Sequence, residues 1–215
     1  MEFEDWEPFY VQIVEDLGLS PAEDEAVAAE LDRLLGGKRV PPGELRALFR
    51  GKTVTVAGNG PTLASEMDRV EGVLVTADEA TSVALAQDHL PDVLVTDLDG
   101  NVPDQVRANA QGAVAVILGH GDNGPAIRRW APRFHGRTVA TTQSRPTGRL
   151  FDFGGFTDGD RAVCLADHFG AKEIRLLGWD FEHPSVKDED PERKRRKLDW
   201  AYILLQNLDR PEFEL

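Results

Sequence analysis

The sequence has a single cysteine and no long apolar run. Cys164 cannot form an intrachain disulfide, and a cysteine-rich zinc site is excluded. It lies in an apolar helical stretch, which favours a buried and unreactive thiol. No run approaches the roughly 18 apolar residues of a membrane span, and the first residues lack the basic and apolar segments of a signal peptide. We therefore expect a cytoplasmic protein without a membrane partner.

Basic residues are scarce relative to acidic ones. The chain of 215 residues carries 24 Lys and Arg against 38 Asp and Glu, which gives a net charge of -14. Nucleic-acid backbones attract Lys and Arg, so this balance argues against nucleic acid as a partner. A hydrophobic content of 41% is sufficient for the core of one domain. The expected partners are small molecules.

The chain divides into two regions of different texture. Residues 1–50 form an N-terminal helical region, in which a capping box at Ser20 predicts a helix over residues 21–35. It is expected to pack on the rest of the chain or on a second subunit, so a homodimer is one expectation. Residues 51–215 alternate short Val- and Ile-rich runs with amphipathic segments, which predicts a doubly wound α/β domain with a mostly parallel sheet. The predicted strands are 53–57, 73–77, 93–96, 113–118, 138–141 and 174–177, and the predicted helices are 63–70, 79–88, 103–109, 125–134, 158–169 and 192–208.

Polar and glycine-rich residues follow five of these strands. In an open parallel sheet, ligands bind beyond the carboxyl ends of the strands, so these residues form the expected site. In chain order they are Gly58-Asn59-Gly60-Pro61, Asp78, Asp97-Leu98-Asp99-Gly100-Asn101, Gly119-His120-Gly121-Asp122-Asn123 and Gly178-Trp179-Asp180. We expect the five strand ends to line one rim.

The pair Asp97 and Asp99 is the most informative of these features. Positions i and i+2 at a strand end point to the same side, so the two carboxylates repel each other unless a cation neutralises them. Oxygen ligands without His or Cys favour Mg²⁺, which completes its shell with waters and substrate phosphates. The alternative is that both residues only shape a turn.

Two other features offer contacts to phosphate. The turn at Gly58, Asn59 and Gly60 exposes backbone amides before a helix, although it is also compatible with an ordinary strand-to-helix turn. Lys194 and Lys197 belong to the only basic run of the sequence. They can clamp a polyphosphate, snorkel from the edge of the core, or pair with the acidic residues 188–190.

Two aspartates lie in the first turn of the helix predicted at residues 158–169. Thr157 and Asp160 have the spacing of a capping box, which predicts that Asp160 caps this helix. Asp158 and Asp160 also add negative charge beside the expected metal site, where a second cation or its waters can use Asp160. Among the histidines, His120 alone lies in the rim, where its segment either contacts substrate or caps the next helix.

The ordered set of motifs from about Gly51 onward resembles the archaeal-type 6-hydroxymethyl-7,8-dihydropterin pyrophosphokinases, the MptE-like family. The motifs are Gly58-Asn59-Gly60-Pro61, Ala77-Asp78, Pro91-Asp92 through Asp97-Leu98-Asp99-Gly100, His120-Gly121-Asp122-Asn123, Gly154-Gly155-Phe156-Thr157-Asp158-Gly159-Asp160-Arg161-Ala162, Gly178-Trp179-Asp180-Phe181, and Lys197-Leu198 with Trp200-Ala201. The resemblance implies Mg²⁺-dependent transfer of the β,γ-diphosphate of ATP to the hydroxymethyl group of a reduced pterin. AMP is the implied by-product, and the implied pathway is tetrahydrofolate or methanopterin biosynthesis.

The resemblance also implies roles for the rim residues. Asp97 and Asp99 would hold Mg²⁺ on the ATP phosphates, Asp160 a second metal or its waters, and Lys197 would neutralise developing charge. The implied ATP contacts are Gly58, Asn59, Gly60, Asp78 and Lys194. The implied pterin contacts are His120, Asp122, Asn123 and Asp180.

Three alternatives to this activity stay open. Residues 92–100 also resemble the acidic metal motif of thiamine pyrophosphokinases, whose catalytic domain has a related α/β fold. Glu79 stands where that family has Gly, and its β-sandwich thiamine-binding domain has no counterpart in this sequence. The other two alternatives are a metal-dependent glycosyltransferase that uses a nucleotide sugar through Asp97 and Asp99, and a non-catalytic nucleotide-sensing module.

The acid surplus leads to a hypothesis about the source of the protein. Only 6 of the 24 basic residues are lysine, and this skew together with the negative charge is typical of proteins adapted to molar salt. We hypothesise a halophilic archaeal source. The temperature of half-unfolding should then rise between low and multimolar KCl, and an unchanged temperature would contradict the hypothesis.

Overall fold

The computed structural model describes residues 1–181, 190–208 and 210. The helices are α1 (Phe3–Leu17), α2 (Pro21–Leu34), α3 (Pro42–Phe49), α4 (Leu63–Glu66), α5 (Ala80–Ala86), α6 (Val102–Ala110), α7 (Gly124–Trp130), α8 (Asp158–His168) and α9 (Pro191–Gln206). The strands are β1 (Lys38–Arg39), β2 (Thr53–Ala57), β3 (Val73–Ala77), β4 (Val93–Thr96), β5 (Val114–Gly119), β6 (Arg137–Thr142) and β7 (Glu173–Leu177). None of the described helices combines the length and apolar character needed to cross a bilayer.

The strands form one parallel sheet in the order β1-β6-β5-β4-β3-β2-β7. Every strand pairing is parallel, so the predicted α/β class is confirmed. The six predicted strands all exist, with bounds that differ by at most one residue at an end. Strand β1 was not predicted. It is only two residues long and consists of a basic pair, so it has no apolar pattern.

Alternation along the strands builds two apolar layers. Val54 and Val75 belong to the layer that packs under α3 and α8, whereas Leu94 and Ile117 belong to the layer that packs under α2, α6 and α7. Successive strand residues point to opposite faces, so a strand covered on both sides is apolar at nearly every position. Burial of both faces explains why the strand runs were readable in the sequence.

The N-terminal helical region is joined to the sheet at several points. Strand β1 pairs with β6 at one edge of the sheet. Gly119, at the end of β5, lies so close to α2 that a Cβ atom there would come within 2.8 Å of the Cα atom of Ala28. The indole of Trp6 in α1 donates to the carbonyl of Gln143 over 2.7 Å. Residues 1–50 thus cover the core of the sheet, and a domain boundary at residue 50 stays a prediction.

The predicted helices also form, with short 3₁₀ turns where two of them were predicted to continue. The 63–70 prediction corresponds to α4 followed by a 3₁₀ turn at Met67–Arg69, and the 125–134 prediction to α7 followed by one at Ala131–Arg133. Cys164 lies fully buried in α8, as predicted, and burial raises the pKa of its thiol.

The loop between β6 and α8 contains a buried carboxylate beside a buried cation. Asp152 Oδ1 accepts a hydrogen bond from the amide of Gly154 over 2.8 Å, and Asp152 Oδ2 has no hydrogen-bond partner among the described residues. Burial raises the pKa of Asp152 to about 7, although Arg161 in α8, the Gly154 amide and the amino group of Met1 act in the opposite direction. The folded state therefore holds the proton of Asp152 more tightly than the unfolded chain does.

This proton gives a testable dependence of stability on pH. Between about pH 4 and pH 7 the folded protein binds more protons at Asp152 than the unfolded chain, so the stability due to this group falls as the pH rises. The free energy of unfolding of wild type minus that of Asp152→Asn should fall by about 2–4 kcal/mol from pH 4 to pH 8. Urea unfolding of both proteins at several pH values measures this difference, and a constant difference would contradict the assignment.

Candidate active site

A cavity of about 1020 Å³ opens at the carboxyl edge of the sheet. Its wall includes a residue that follows each of five strands: Asn59, Asp78, Asp97, His120 and Trp179. The five strand ends therefore converge as the sequence indicated. The predicted site residues that line the cavity are Gly58, Asn59, Gly60, Asp78, Asp97, Asp99, His120, Asp122, Asp180, Lys194 and Lys197.

Three carboxylates come together in this cavity. One oxygen from each of Asp78, Asp97 and Asp158 can be chosen so that all three lie within 4.8 Å of one another, and all three side chains are half-buried. Asp99 lies outside this group and is exposed. The cluster thus differs from the predicted metal set of Asp97, Asp99 and Asp160, although Asp97 belongs to both.

The backbone separates Asp97 from Asp99 because β4 ends at Thr96. Leu98 has a φ of +68°, in the left-handed region, so the alternation expected of a strand does not continue through this segment. The amide of Leu98 donates to Thr96 Oγ1 over 2.8 Å, and the amide of Asp99 donates to Asp97 Oδ1 over 3.2 Å. Asp97 and Asp99 are therefore positioned by a turn, and the expectation that strand alternation places their carboxylates on the same side was wrong.

Asp78 is held by two polar side chains of neighbouring elements. Its Oδ1 accepts a hydrogen bond from Gln105 Nε2 over 2.7 Å and lies 3.1 Å from Thr96 Oγ1. Burial raises the pKa of Asp78 to about 7, and the nearby charges of Asp97 and Asp99 act in the same direction. The Asp78 carboxyl therefore takes up a proton readily when no cation is present to balance its charge.

Asp158 and Asp160 begin the same helix but have different surroundings. Asp160 is fully buried, and its carboxylate accepts hydrogen bonds from the amides of Phe156 and Thr157 and from Thr157 Oγ1. It is not among the residues that line the cavity. Asp158 Oδ1 is buried without a hydrogen-bond partner among the described residues, and burial together with Asp97 and Asp78 raises the pKa of Asp158. The predicted capping by Asp160 is present, whereas Asp158 faces the site.

Asp97 is supported from two sides by the turn after β5. His120 Nε2 lies 3.3 Å from Asp97 Oδ2, and Asn123 Nδ2 donates to the carbonyl of Asp97 over 2.7 Å. The amide of Asp122 donates to His120 Nδ1 over 3.4 Å, which assigns the ring proton to Nε2 and makes His120 the donor to Asp97. Burial acts to raise the pKa of Asp97, but His120 and the charge of Lys197 outweigh it and hold this pKa below its usual value.

The residues predicted to contact pterin therefore separate into two kinds. Asn123 is buried, and its amide nitrogen also donates to the carbonyl of Leu118. It is not among the cavity-lining residues, unlike His120, Asp122 and Asp180. The geometry of Asn123 supports the backbone of Asp97.

The glycine turn after β2 is shaped by close packing on the segment after β7. The amide of Gly58 donates to the carbonyl of Leu177 over 2.9 Å, and the amide of Gly60 donates to the carbonyl of Gly178 over 2.6 Å. A Cβ atom at Gly60 would come within 2.5 Å of that carbonyl oxygen. The prediction that the Gly60 amide receives a phosphate does not fit this geometry, since its hydrogen is already donated. The Asn59 side chain lines the cavity and donates to Glu79 Oε2 over 2.9 Å.

Helix α9 contributes two lysines to the wall of the cavity. Lys194 and Lys197 are half-buried and line the cavity, whereas Arg195 and Arg196 between them are exposed. Lys197 Nζ lies 5.8 Å from the ring centroid of Phe156. Of the acidic residues 188–190 that could pair with this run, 188 and 189 lie outside the described residues. Asp190 caps α9 by accepting from the amide of Arg193.

An aromatic wall completes the cavity and was missed as a surface by sequence reasoning. Trp179 is anchored by a hydrogen bond of 3.1 Å from its indole nitrogen to the carbonyl of Val56, and its ring centroid lies 5.5 Å from that of Phe181. Phe156 and Leu198 also line the cavity. These residues come from three separate segments of the sequence, and no periodic pattern links them. A flat, partly apolar ligand fits beside such a wall.

The chain matches a known family and three relatives that carry the same name. The family model described as 6-hydroxymethylpterin diphosphokinase MptE-like matches residues 32–185. A protein of Methanothermobacter thermautotrophicus named 6-hydroxymethyl-7,8-dihydropterin pyrophosphokinase is 41% identical, over 98% of this chain and 96% of its own length. Proteins of the same name from Pyrococcus furiosus and Methanocaldococcus jannaschii are 38% and 30% identical, over 96% and 100% of this chain and 94% and 99% of their own lengths. The chain therefore belongs to the MptE-like 6-hydroxymethylpterin diphosphokinase family.

Proposed function

We propose that this protein transfers the β,γ-diphosphate of ATP to the hydroxymethyl group of 6-hydroxymethyl-7,8-dihydropterin. The hydroxyl oxygen attacks the β-phosphorus, the bond from that phosphorus to the oxygen bridging to the α-phosphate breaks, and AMP leaves. The hydroxyl proton is released. The observation that carries this reaction type is the carboxylate cluster of Asp78, Asp97 and Asp158 in one cavity with Lys194 and Lys197. The pterin substrate is carried over from the names of the relatives.

The donor set fits Mg²⁺. All three clustered side chains offer carboxylate oxygens, and buried Asp158 Oδ1 lacks a protein partner among the described residues. Mg²⁺ prefers such oxygen ligands and shares its remaining positions with water and phosphate. When bound, the cation would supply charge neutralisation for the ATP phosphates, held by Asp78, Asp97 and Asp158. Asp99 is exposed and also lines the cavity, where its carboxylate would accept a hydrogen bond from a water bound to the cation.

The residues of the chain have separate tasks in this proposal. Lys197 and Lys194 lie in the wall formed by α9, where they can bind phosphate oxygens and stabilise negative charge during transfer. The aromatic wall with Trp179 binds the flat pterin or adenine ring. Asp180 and Asp122 line the same cavity and offer acceptors for the amino group of a pterin. Diphosphoryl transfer depends on positioning and charge neutralisation, which these residues provide.

The first test is the product formed from ATP and the dihydropterin. The protein with Mg²⁺ should form AMP and pterin diphosphate, and Asp97→Asn should lower kcat/KM at least ~100-fold because a metal ligand is lost. Asp104→Asn, at an α6 carboxylate that does not line the cavity, should retain activity. Nucleotide chromatography measures AMP. ADP as product, AMP formation with thiamine as the preferred acceptor, or cleavage of a nucleotide sugar instead of ATP would contradict the proposal.

The two aspartates at the start of α8 provide a second test. Asp158→Asn should weaken Mn²⁺ binding by on the order of 10-fold or more, because it removes a metal ligand. It should not lower the stability, because burial disfavours the charged form of Asp158 in the folded protein. Asp160→Asn should retain Mn²⁺ affinity and lower the free energy of unfolding by about 1–3 kcal/mol, since one amide of the cap loses its acceptor.

Mn²⁺ titration by electron paramagnetic resonance and urea unfolding measure both variants. The reverse pattern, with Asp160→Asn losing the metal and Asp158→Asn binding it normally, would return the ligand role to Asp160.

A further inference from the structure

Asp24 is a buried carboxylate in the N-terminal helical region, only 2% exposed on α2. Its Oδ2 accepts hydrogen bonds from Tyr10 Oη over 2.6 Å and from Gln143 Nε2 over 2.7 Å. Its Oδ1 accepts a hydrogen bond from the backbone amide of Gly121 over 2.7 Å. Burial of a carboxylate is unfavourable unless its oxygens are hydrogen-bonded, and here each oxygen has at least one donor.

The third of these bonds holds the turn after β5, next to the cavity-lining residue His120. Gly121 begins the 3₁₀ turn Gly121–Asn123 that follows β5, so its amide is adjacent to His120 in the chain. The turn rests directly on α2, because a Cβ atom at Gly121 would come within 3.0 Å of the Cβ atom of Glu23. Asp24 therefore fixes the first amide of this turn from the outside of the cavity.

The same turn holds Asp97 at two atoms. His120 donates to Asp97 Oδ2, and Asn123 donates to the Asp97 carbonyl. Asn123 Oδ1 also accepts from the amide of His120 over 3.0 Å, which ties the two supporting residues to each other. A displacement of the turn moves both supports together, so the orientation of the Asp97 carboxylate depends on the anchor of the turn.

We propose that Asp24 is a positioning residue for the metal site: through the Gly121 amide it fixes the turn that carries His120 and Asn123, and thereby orients the carboxylate of Asp97. This inference rests on the proposed function in one respect, the role of Asp97 as a metal ligand. It assigns the N-terminal helices a part in the activity, since α2 supplies the carboxylate that accepts from the Gly121 amide.

The test measures binding of Mn²⁺ alone by electron paramagnetic resonance of the free ion. Asp24→Ala should weaken Mn²⁺ binding by on the order of 10-fold, as expected when the support of a metal ligand is removed. Tyr10→Phe is the matched control, because it removes a hydrogen bond from the same buried carboxylate and leaves the bond to Gly121. It should lower the stability and leave the Mn²⁺ affinity unchanged. Equal Mn²⁺ affinity of Asp24→Ala and Tyr10→Phe would overturn the inference.

Two further variants separate positioning from general damage. Asp24→Asn keeps an oxygen that can accept from Gly121, with Gln143 free to turn its amide, and should retain most of the Mn²⁺ affinity. In a double-mutant cycle, Asp24→Ala should add little further loss to a His120→Ala background, because both changes act on the same contact to Asp97. Fully additive losses would contradict this route. If Asp24→Ala does not fold, Asp24→Ser places a small polar group in the same pocket without the carboxylate that accepts from Gly121, and the same loss is expected.

Failure of this inference is distinguishable from failure of the proposed function. If only the function is wrong, neither wild type nor the variants form AMP from ATP and the dihydropterin. The Mn²⁺ affinity of Asp24→Ala is then still lower than that of Tyr10→Phe and wild type. If only the inference is wrong, wild type forms AMP and Asp24→Ala binds Mn²⁺ as tightly as Tyr10→Phe does. Absence of Mn²⁺ binding by wild type would overturn the inference and the ligand roles of Asp78, Asp97 and Asp158, whereas AMP formation decides the function separately.

Discussion

The carboxylates of Asp78, Asp97 and Asp158 repel one another, and this repulsion governs the electrostatics of the site. Oxygens of all three lie within 4.8 Å of one another, and they cannot all be charged without a compensating cation. The three pKa values shift in different directions. His120 and Lys197 lower the pKa of Asp97, whereas burial raises the pKa of Asp78 and that of Asp158. Such a cluster is unfavourable unless protons or a cation offset its charge, which supports the divalent cation that we propose for it.

The backbone of the site is strained at two residues. Asp78 and Leu98 both adopt positive φ angles, of +46° and +68°, at the ends of adjacent strands β3 and β4. A side chain in this region costs about 1–2 kcal/mol, which the surroundings must offset. Leu98 is 3% exposed and its amide is bound by Thr96, so burial and a hydrogen bond offset the strain. The strained positions coincide with the site because turning the chain there brings Asp78 and Asp97 toward the same point.

Sequence patterns specified the fold better than the site. The Val-rich strands were recognisable because both faces of the sheet are buried, and Asp97 was found because it follows a strand. Asp158 was noted only as added charge. The capping box at Thr157 was the signal that could have identified it. The carboxylate of Asp160 accepts hydrogen bonds from backbone amides of the cap, so Asp158, two residues earlier, is the aspartate of this turn that remains available to the cavity. The packing of Gly60 against Gly178 had no such signal, since contacts between distant loops leave no periodic pattern.

The N-terminal helices and α9 show why the limits of a family model are not the limits of a site. The matched segment, residues 32–185, leaves out Asp24 and both cavity lysines, whereas the named relatives align over nearly the whole chain. Parallel strand ends supply the aspartates, but a parallel sheet places loops on one edge and leaves that edge open. The flanking helices add groups there: the charge of Lys197 in α9 helps to lower the pKa of Asp97, and Asp24 in α2 accepts a hydrogen bond from the Gly121 amide in the turn after β5. Groups around the carboxylate cluster therefore also come from residues outside the matched segment, Lys197 in α9 and Asp24 in α2.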